Sequence, residues 1–83
     1  MEYIISKHCI EQMILRGIAG EEIDSILNNP SRIMKQDDEI TVYQSLTSDG
    51  NFLIRIFVNI VKEPNLVITA YKTSKISKYE NKI

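Results

Sequence analysis

The sequence predicts an α+β domain: an N-terminal helical hairpin packed on one face of a three- to four-stranded antiparallel β-sheet. Three observations predict it. Apolar residues recur with helical spacing as far as Pro30. Beyond that point several short segments alternate with a period of two. Turn signals such as Asp49-Gly50 and "KEPN" separate those segments at hairpin distances.

The elements follow in order. "EYII" is a short extended start. Ser6 caps the first helix by offering its hydroxyl to an orphan N–H of the first turn. At about 100° per residue, Cys9, Ile10, Met13 and Ile14 are expected on one face. His8, Gln12 and Arg16 are expected with Glu11 on the other. Gly17 ends the helix as a left-handed C-cap. A second helix runs from Gly20 to Asn28, with Glu21 and Glu22 in its first turn, where the helix dipole favours negative charge. Ile23, Ile26 and Leu27 form its apolar stripe, and Pro30 stops it. The short link through Ile18 makes the two helices a hairpin with one shared apolar side.

Strands then take over. "SRIMKQ" opens a meander and "DDE" turns it. "ITVYQSL" alternates Ile40, Val42 and Leu46 against Thr41, Tyr43 and Ser45, the pattern of a half-buried strand. "FLIRIFVNIV" is the most apolar stretch. Its even positions, Phe52, Ile54, Ile56, Val58 and Ile60, are expected against the helices, with Ile10 and Ile14 among their partners. Its odd positions carry Arg55 and Asn59. "LVITAYK" is the last strand. The tail, with Lys75, Lys78 and Lys82, is a basic arm or short helix.

The bulk numbers bound the function. A chain of 83 residues, 43 % hydrophobic, reads as a single domain over residues 1–83 with a small core. A net charge of −1 gives no global field, so any anion site is a local patch. The one cysteine, Cys9, forms no internal disulfide. With no signal-like start, a cytoplasmic location is expected. No apolar run is long enough to span a bilayer, so no membrane partner is expected. One His beside one Cys builds no metal cage, and Glu21–Glu22 and Asp37–Asp38–Glu39 lack a calcium-loop pattern. Neither a metal nor an organic cofactor is expected.

Longer motifs carry a family resemblance. "SKHCIEQMILRGIAGEEIDSILNNP" resembles the N-terminal signature of a small bacterial family: Ser-x-His-Ala, Glu-Arg-Met, Arg-Gly-Ile, Glu-Glu-Ile and a closing Asn-Pro. "LVITAYKTSKISKY" resembles its C-terminal signature, an apolar strand ending in Thr-x-Tyr with a basic tail. The family is catalogued as domain of unknown function four-two-five-eight. It is grouped with the RelE- and BrnT-like toxins, whose fold is shared with barnase-type ribonucleases. Gln12 stands where the family usually has arginine, and Cys9 where it has alanine. The resemblance implies a RelE-like fold and the toxin of a toxin–antitoxin pair. Such a toxin acts as a metal-independent endoribonuclease on RNA and is neutralised by a small antitoxin protein.

Metal-free RNA cleavage needs a base for the ribose 2′-OH, a cation for the phosphorane and an acid for the leaving 5′ oxygen. His8 is a candidate acid or base, because its unperturbed pKa lies near neutrality. Arg16 and Arg55 are candidate phosphate clamps, and Tyr71 a stacking platform or proton donor. These four are the candidate catalytic residues. Gln12, Asn59, Thr69 and Lys72 are candidate RNA contacts. On this reading His8 and Arg16 line the same concave surface as Arg55 and Tyr71. The competing readings are a non-catalytic RNA-binding module and a protein-interaction module of the same fold. For Arg55, whose charge is costly to bury unpaired, the structural alternative is an ion pair with Asp38 or Glu39.

Overall fold

The computed structural model describes residues 1–80. The chain begins with a strand, β1 (Tyr3–Ile5), and passes into α1 (Lys7–Arg16). Ser6 sets that helix start: its Oγ accepts the Cys9 N–H at 3.0 Å. Gly17, at φ 66° and ψ 39°, closes the helix in the left-handed region that an L side chain rarely adopts. α2 (Gly20–Asn28) begins where the Glu22 carboxylate accepts the Ala19 N–H at 2.9 Å. The strands β2 (Arg32–Lys35), β3 (Ile40–Leu46), β4 (Leu53–Asn59) and β5 (Asn65–Thr73) follow as an antiparallel meander, and α3 (Ile76–Glu80) comes last. Lys82 of the basic tail lies outside the described residues.

The sheet corrects the predicted architecture. It has five strands in the order β1-β5-β4-β3-β2, and it is mixed, because β1 runs parallel to β5. Tyr3, Ile4 and Ile5 pair with Asn65, Leu66 and Val67. A period of two marks a strand but cannot name a partner so far along the chain. The helices do not form the predicted hairpin either. α1 lies along β5 and α2 over β3, and each packs on the sheet rather than mainly on the other. The Tyr3 hydroxyl, donating to Asp24 Oδ1 at 2.8 Å, ties β1 to α2.

The core lies between the helices and one sheet face. Ile54, Ile56 and Val58 of β4 and Val67 and Ala70 of β5 meet Cys9, Met13, Ile18, Ile23, Ile26 and Leu27. Phe52 and Ile60 lie beyond the ends of β4 and are exposed, contrary to expectation. So are Ile10 and Ile14, the latter 76 % exposed. α1 is rolled toward its Gln12–Arg16 flank, although Cys9 and Met13 are buried as expected. Its buried side is Cys9 and Met13, with Gln12 half-buried beside them, and Arg16 reaches the Ala70 carbonyl at 2.8 Å. Positions i, i+3, i+4 and i+7 share one helix side, and these four residues fit that spacing.

β5 needs this arrangement because β1 covers only part of its outer edge. The Ser6 N–H bonds the Val67 carbonyl at 3.0 Å, and Ser6 Oγ donates to Ile68 O at 3.2 Å. Arg16 then takes the Ala70 carbonyl. α1 and its cap therefore satisfy acceptors that an uncovered edge strand would leave open.

Candidate functional site

The sheet face turned away from α1 and α2 carries a polar row. In register across four strands stand Arg32 (β2), Gln44 (β3), Arg55 (β4) and Tyr71 (β5). The next row is Met34, Val42, Phe57 and Thr69. Alternation along each strand fixes these side chains to the face opposite the core, where Tyr79 of α3 packs over Arg55, because their neighbours Ile54, Ile56 and Ala70 fill the core.

Arg55 is the centre of the row. Its Nε donates to Gln44 Oε1 at 2.9 Å, and its Nη1 donates to the Tyr71 hydroxyl at 2.7 Å. Three rings surround the guanidinium carbon: Tyr79 of α3 at 4.4 Å, Phe57 at 5.4 Å and Tyr71 at 5.8 Å from their centroids. Phe57 stacks on Tyr71 at 5.9 Å, and Tyr79 meets Tyr71 edge-on at 6.2 Å. The alternative for Arg55, an ion pair to Asp38 or Glu39, is not formed. Among the described side chains the only ion pair is Lys35–Asp38, at the surface. Both Arg55 and Arg32 are half-buried; Arg55 is balanced by rings and an amide oxygen rather than by a carboxylate.

The Tyr71 phenol is held above its usual pKa. Burial is the main cause, a hydrogen bond with Tyr79 adds to it, and the neighbouring Arg55 charge works against it. The phenol therefore stays protonated at neutral pH and is a donor, not a base.

The predicted site residues are divided between two faces. Arg55 and Tyr71 converge, and Thr69 stands beside Phe57 in the next row. Asn59 ends β4, where its Oδ1 accepts the Val61 N–H at 3.0 Å. Lys72 follows Tyr71 and so points to the helix side, donating to the Gly17 carbonyl at 3.2 Å. His8, Gln12 and Arg16 belong to α1, on the far side of the sheet from Arg55. His8 is exposed, and Arg16 is engaged at the β5 edge. The expected shared surface of His8, Arg16, Arg55 and Tyr71 does not exist.

Arg32, Gln44, Phe57 and Tyr79 belong to the site and were not among the predicted residues. A signal was present for Gln44. It shares strand parity with Ile40, Val42 and Leu46, so it is a polar residue on an apolar register. It is only 1 % exposed.

An open groove of about 420 Å³ lies elsewhere, between α2 and the end of β3. Some of its polar groups are engaged locally: Ser45 Oγ donates to Ser31 Oγ at 3.0 Å, and Glu22 caps α2. Among the described residues no group of three or more His, Cys, Asp or Glu is placed to hold a metal ion. No described helix is long and apolar enough to cross a membrane.

The family described as Domain of unknown function (DUF4258) matches residues 5–72, and the chain belongs to it. Arg32, Gln44, Arg55 and Tyr71 all fall inside the matched span, whereas Tyr79 falls outside it. No curated protein and no solved structure matches the chain.

Proposed function

We propose that this family member binds single-stranded RNA on the open face of its sheet, with Arg55 holding a backbone phosphate. One observation carries the reading: Arg55 and Arg32 stand in one row, half-buried, with no carboxylate partner among the described side chains. A buried unpaired guanidinium is costly, and phosphate is the anion that suits its planar fork. Phe57 and Tyr71 add ring surface beside the phosphate, the combination by which proteins hold unstacked bases. The lone reduced Cys9 suits the cytoplasm, where RNA is met.

A second reading is cleavage by a RelE-like toxin with a small antitoxin partner. It is supported by the family resemblance and by the protonated Tyr71 hydroxyl, 2.7 Å from Arg55 Nη1. A phenol beside a phosphate clamp can donate its proton to a leaving 5′ oxygen. The base such a reaction needs is not supplied by His8, which lies across the sheet. Binding is therefore the primary reading.

The test is a fluorescent oligoribonucleotide titrated at several salt concentrations. Arg55→Gln is expected to weaken binding and to make the log–log salt slope about 0.7 less negative, the value for one phosphate contact on a single strand. Unchanged affinity and slope in a folded Arg55→Gln protein would reject the reading. Growth arrest on expression, relieved by a partner and lost in Tyr71→Phe, would raise the toxin reading above it. Full growth at verified expression removes the toxin reading and leaves RNA binding standing.

A further inference from the structure

Gln44 sits between two guanidinium groups. Arg55 donates to its Oε1 from one side. Arg32 is its direct cross-strand partner on the other. An amide has one oxygen, and here Arg55 has taken it. The Gln44 Nε2 group and the Arg32 Nη1 group are both buried, and both lack a hydrogen-bond partner among the described residues. Directly opposed residues in a sheet have Cβ atoms about 4.5–5.5 Å apart, so the two orphaned donors belong to one cross-strand pair, whose one side-chain acceptor is already taken by Arg55. Turning the amide over does not resolve this, because Nε2 would then face Arg55 Nε, another donor. A guanidinium has five donors and no acceptor, so the row is short of acceptors by its own composition.

Natural interiors seldom leave a buried donor unpaired, because such a group gives up its hydration for nothing. We propose that the Arg32–Gln44 pair is a second oxyanion subsite, in which a phosphate oxygen accepts from Gln44 Nε2 and Arg32 Nη1. A phosphate group also matches the positive charge that this end of the row carries without a counter-ion. Because both nitrogens are covered, the oxyanion enters as the Arg32 side chain lifts away. Arg32 stands on β2, an edge strand of the sheet, where only one side is held by a neighbour. Arg32 and Arg55 are two strands apart, about 9–10 Å at the usual strand spacing. A chain of phosphates crossing the sheet at right angles to its strands would meet both. The subsite stands on the orphaned donors alone; its assignment to a neighbouring phosphate of the same strand rests on the RNA reading.

The full chain, labelled with ¹⁵N, tests this by NMR of the Gln44 side-chain amide. One arm adds inorganic phosphate against chloride at matched ionic strength; the other adds a short oligoribonucleotide. The Gln44 NH₂ signals are expected to shift saturably. Arg32→Gln, at a half-buried edge position that leaves the core intact, is expected to weaken that response at least tenfold. Gln44→Glu supplies the missing acceptor internally, so it is expected to raise Tm in phosphate-free buffer and to remove the further rise in Tm that added phosphate gives the parent. A response to both ligands, or to the oligonucleotide alone, supports the subsite. A response to free phosphate alone supports the subsite and counts against the RNA reading. No saturable response in either arm, or an equal response in Arg32→Gln, overturns it, even if Arg55 proves to bind RNA.

Discussion

The orientation of α1 decides which residues are core and which are free, and paired truncations measure it. Ile56 is fully buried in β4, between Tyr43 and Ala70 on the flanking strands. Ile56→Ala removes three carbons, worth roughly 2.5 kcal/mol of transfer free energy at about 0.8 kcal/mol each. The cavity left behind brings the cost to about 2–5 kcal/mol. A domain of this size has on the order of 4–12 kcal/mol in total, so the variant loses a large share of its stability. Its Tm is expected to fall by roughly 10 °C or more. Ile14 is no less apolar, but 76 % of it is exposed. Ile14→Ala is expected to change stability by no more than about 0.5 kcal/mol, because alanine is also the better helix former. Urea unfolding of both variants, compared by midpoint at unchanged m-value, gives the two numbers. If Ile14→Ala costs as much as Ile56→Ala, α1 buries the Ile10–Ile14 stripe. Arg16 would then be turned away from β5.

Three further outcomes follow from single contacts. Ser6→Ala removes both the α1 cap and the bond to Ile68, and is expected to cost about 1–2 kcal/mol in the same urea assay. Asp37 Oδ1 accepts the Glu39 and Ile40 N–H groups, which lower its pKa; its stabilisation is therefore present above the unfolded value near 3.9 and lost as pH falls through the folded one. Asp37→Asn keeps the acceptor and is expected to shift the acid unfolding midpoint to lower pH. The Tyr71 pKa is raised, chiefly by burial, so its contribution is complete below about pH 10 and lost as pH rises through the folded value. A phenolate absorbance titration is expected to show one late-titrating tyrosine fewer in Tyr71→Phe.

How much of this was legible follows from what sets each feature. β3 was predicted at Ile40–Leu46 and is found there, because a run of strand formers bounded by turn residues is a local property of the chain. α2 was predicted from Gly20 to Asn28 and found at those bounds, its stripe of Ile23, Ile26 and Leu27 having no competitor on the helix. α1 had two candidate sides. Ile10 and Ile14 are the more apolar, but Gln12 and Arg16 flank Cys9 and Met13 at helical spacing, and Arg16 finds a carbonyl on the β5 edge. No hydrophobicity pattern contains that acceptor. The pairing of β1 was illegible for a similar reason: three residues cannot announce a parallel partner at the other end of the chain. In the site, Arg55 was conspicuous as a charge inside an apolar strand. Arg32 and Gln44 become neighbours only once the β2–β3 register is known.

The open face also depends on one irregularity in β5. Val58 pairs with Val67, yet Phe57 pairs with Thr69, so Ile68 is an extra residue that β4 does not match. Val67 and Ala70 are three apart, and in a regular strand they would point to opposite sides. The bulge lets both enter the core. It also reverses the faces for the rest of the strand. Counted by twos from Val67 without it, Thr69 and Tyr71 would point toward the helices. With it, Thr69 joins Phe57 and Tyr71 joins Arg55 on the side that α1 and α2 leave free. Hydrophobic burial supplies the drive, since it seats Ala70 beside Ile56, and the polar row is the consequence on the other face. The same residue that completes the core therefore brings the Tyr71 hydroxyl to Arg55.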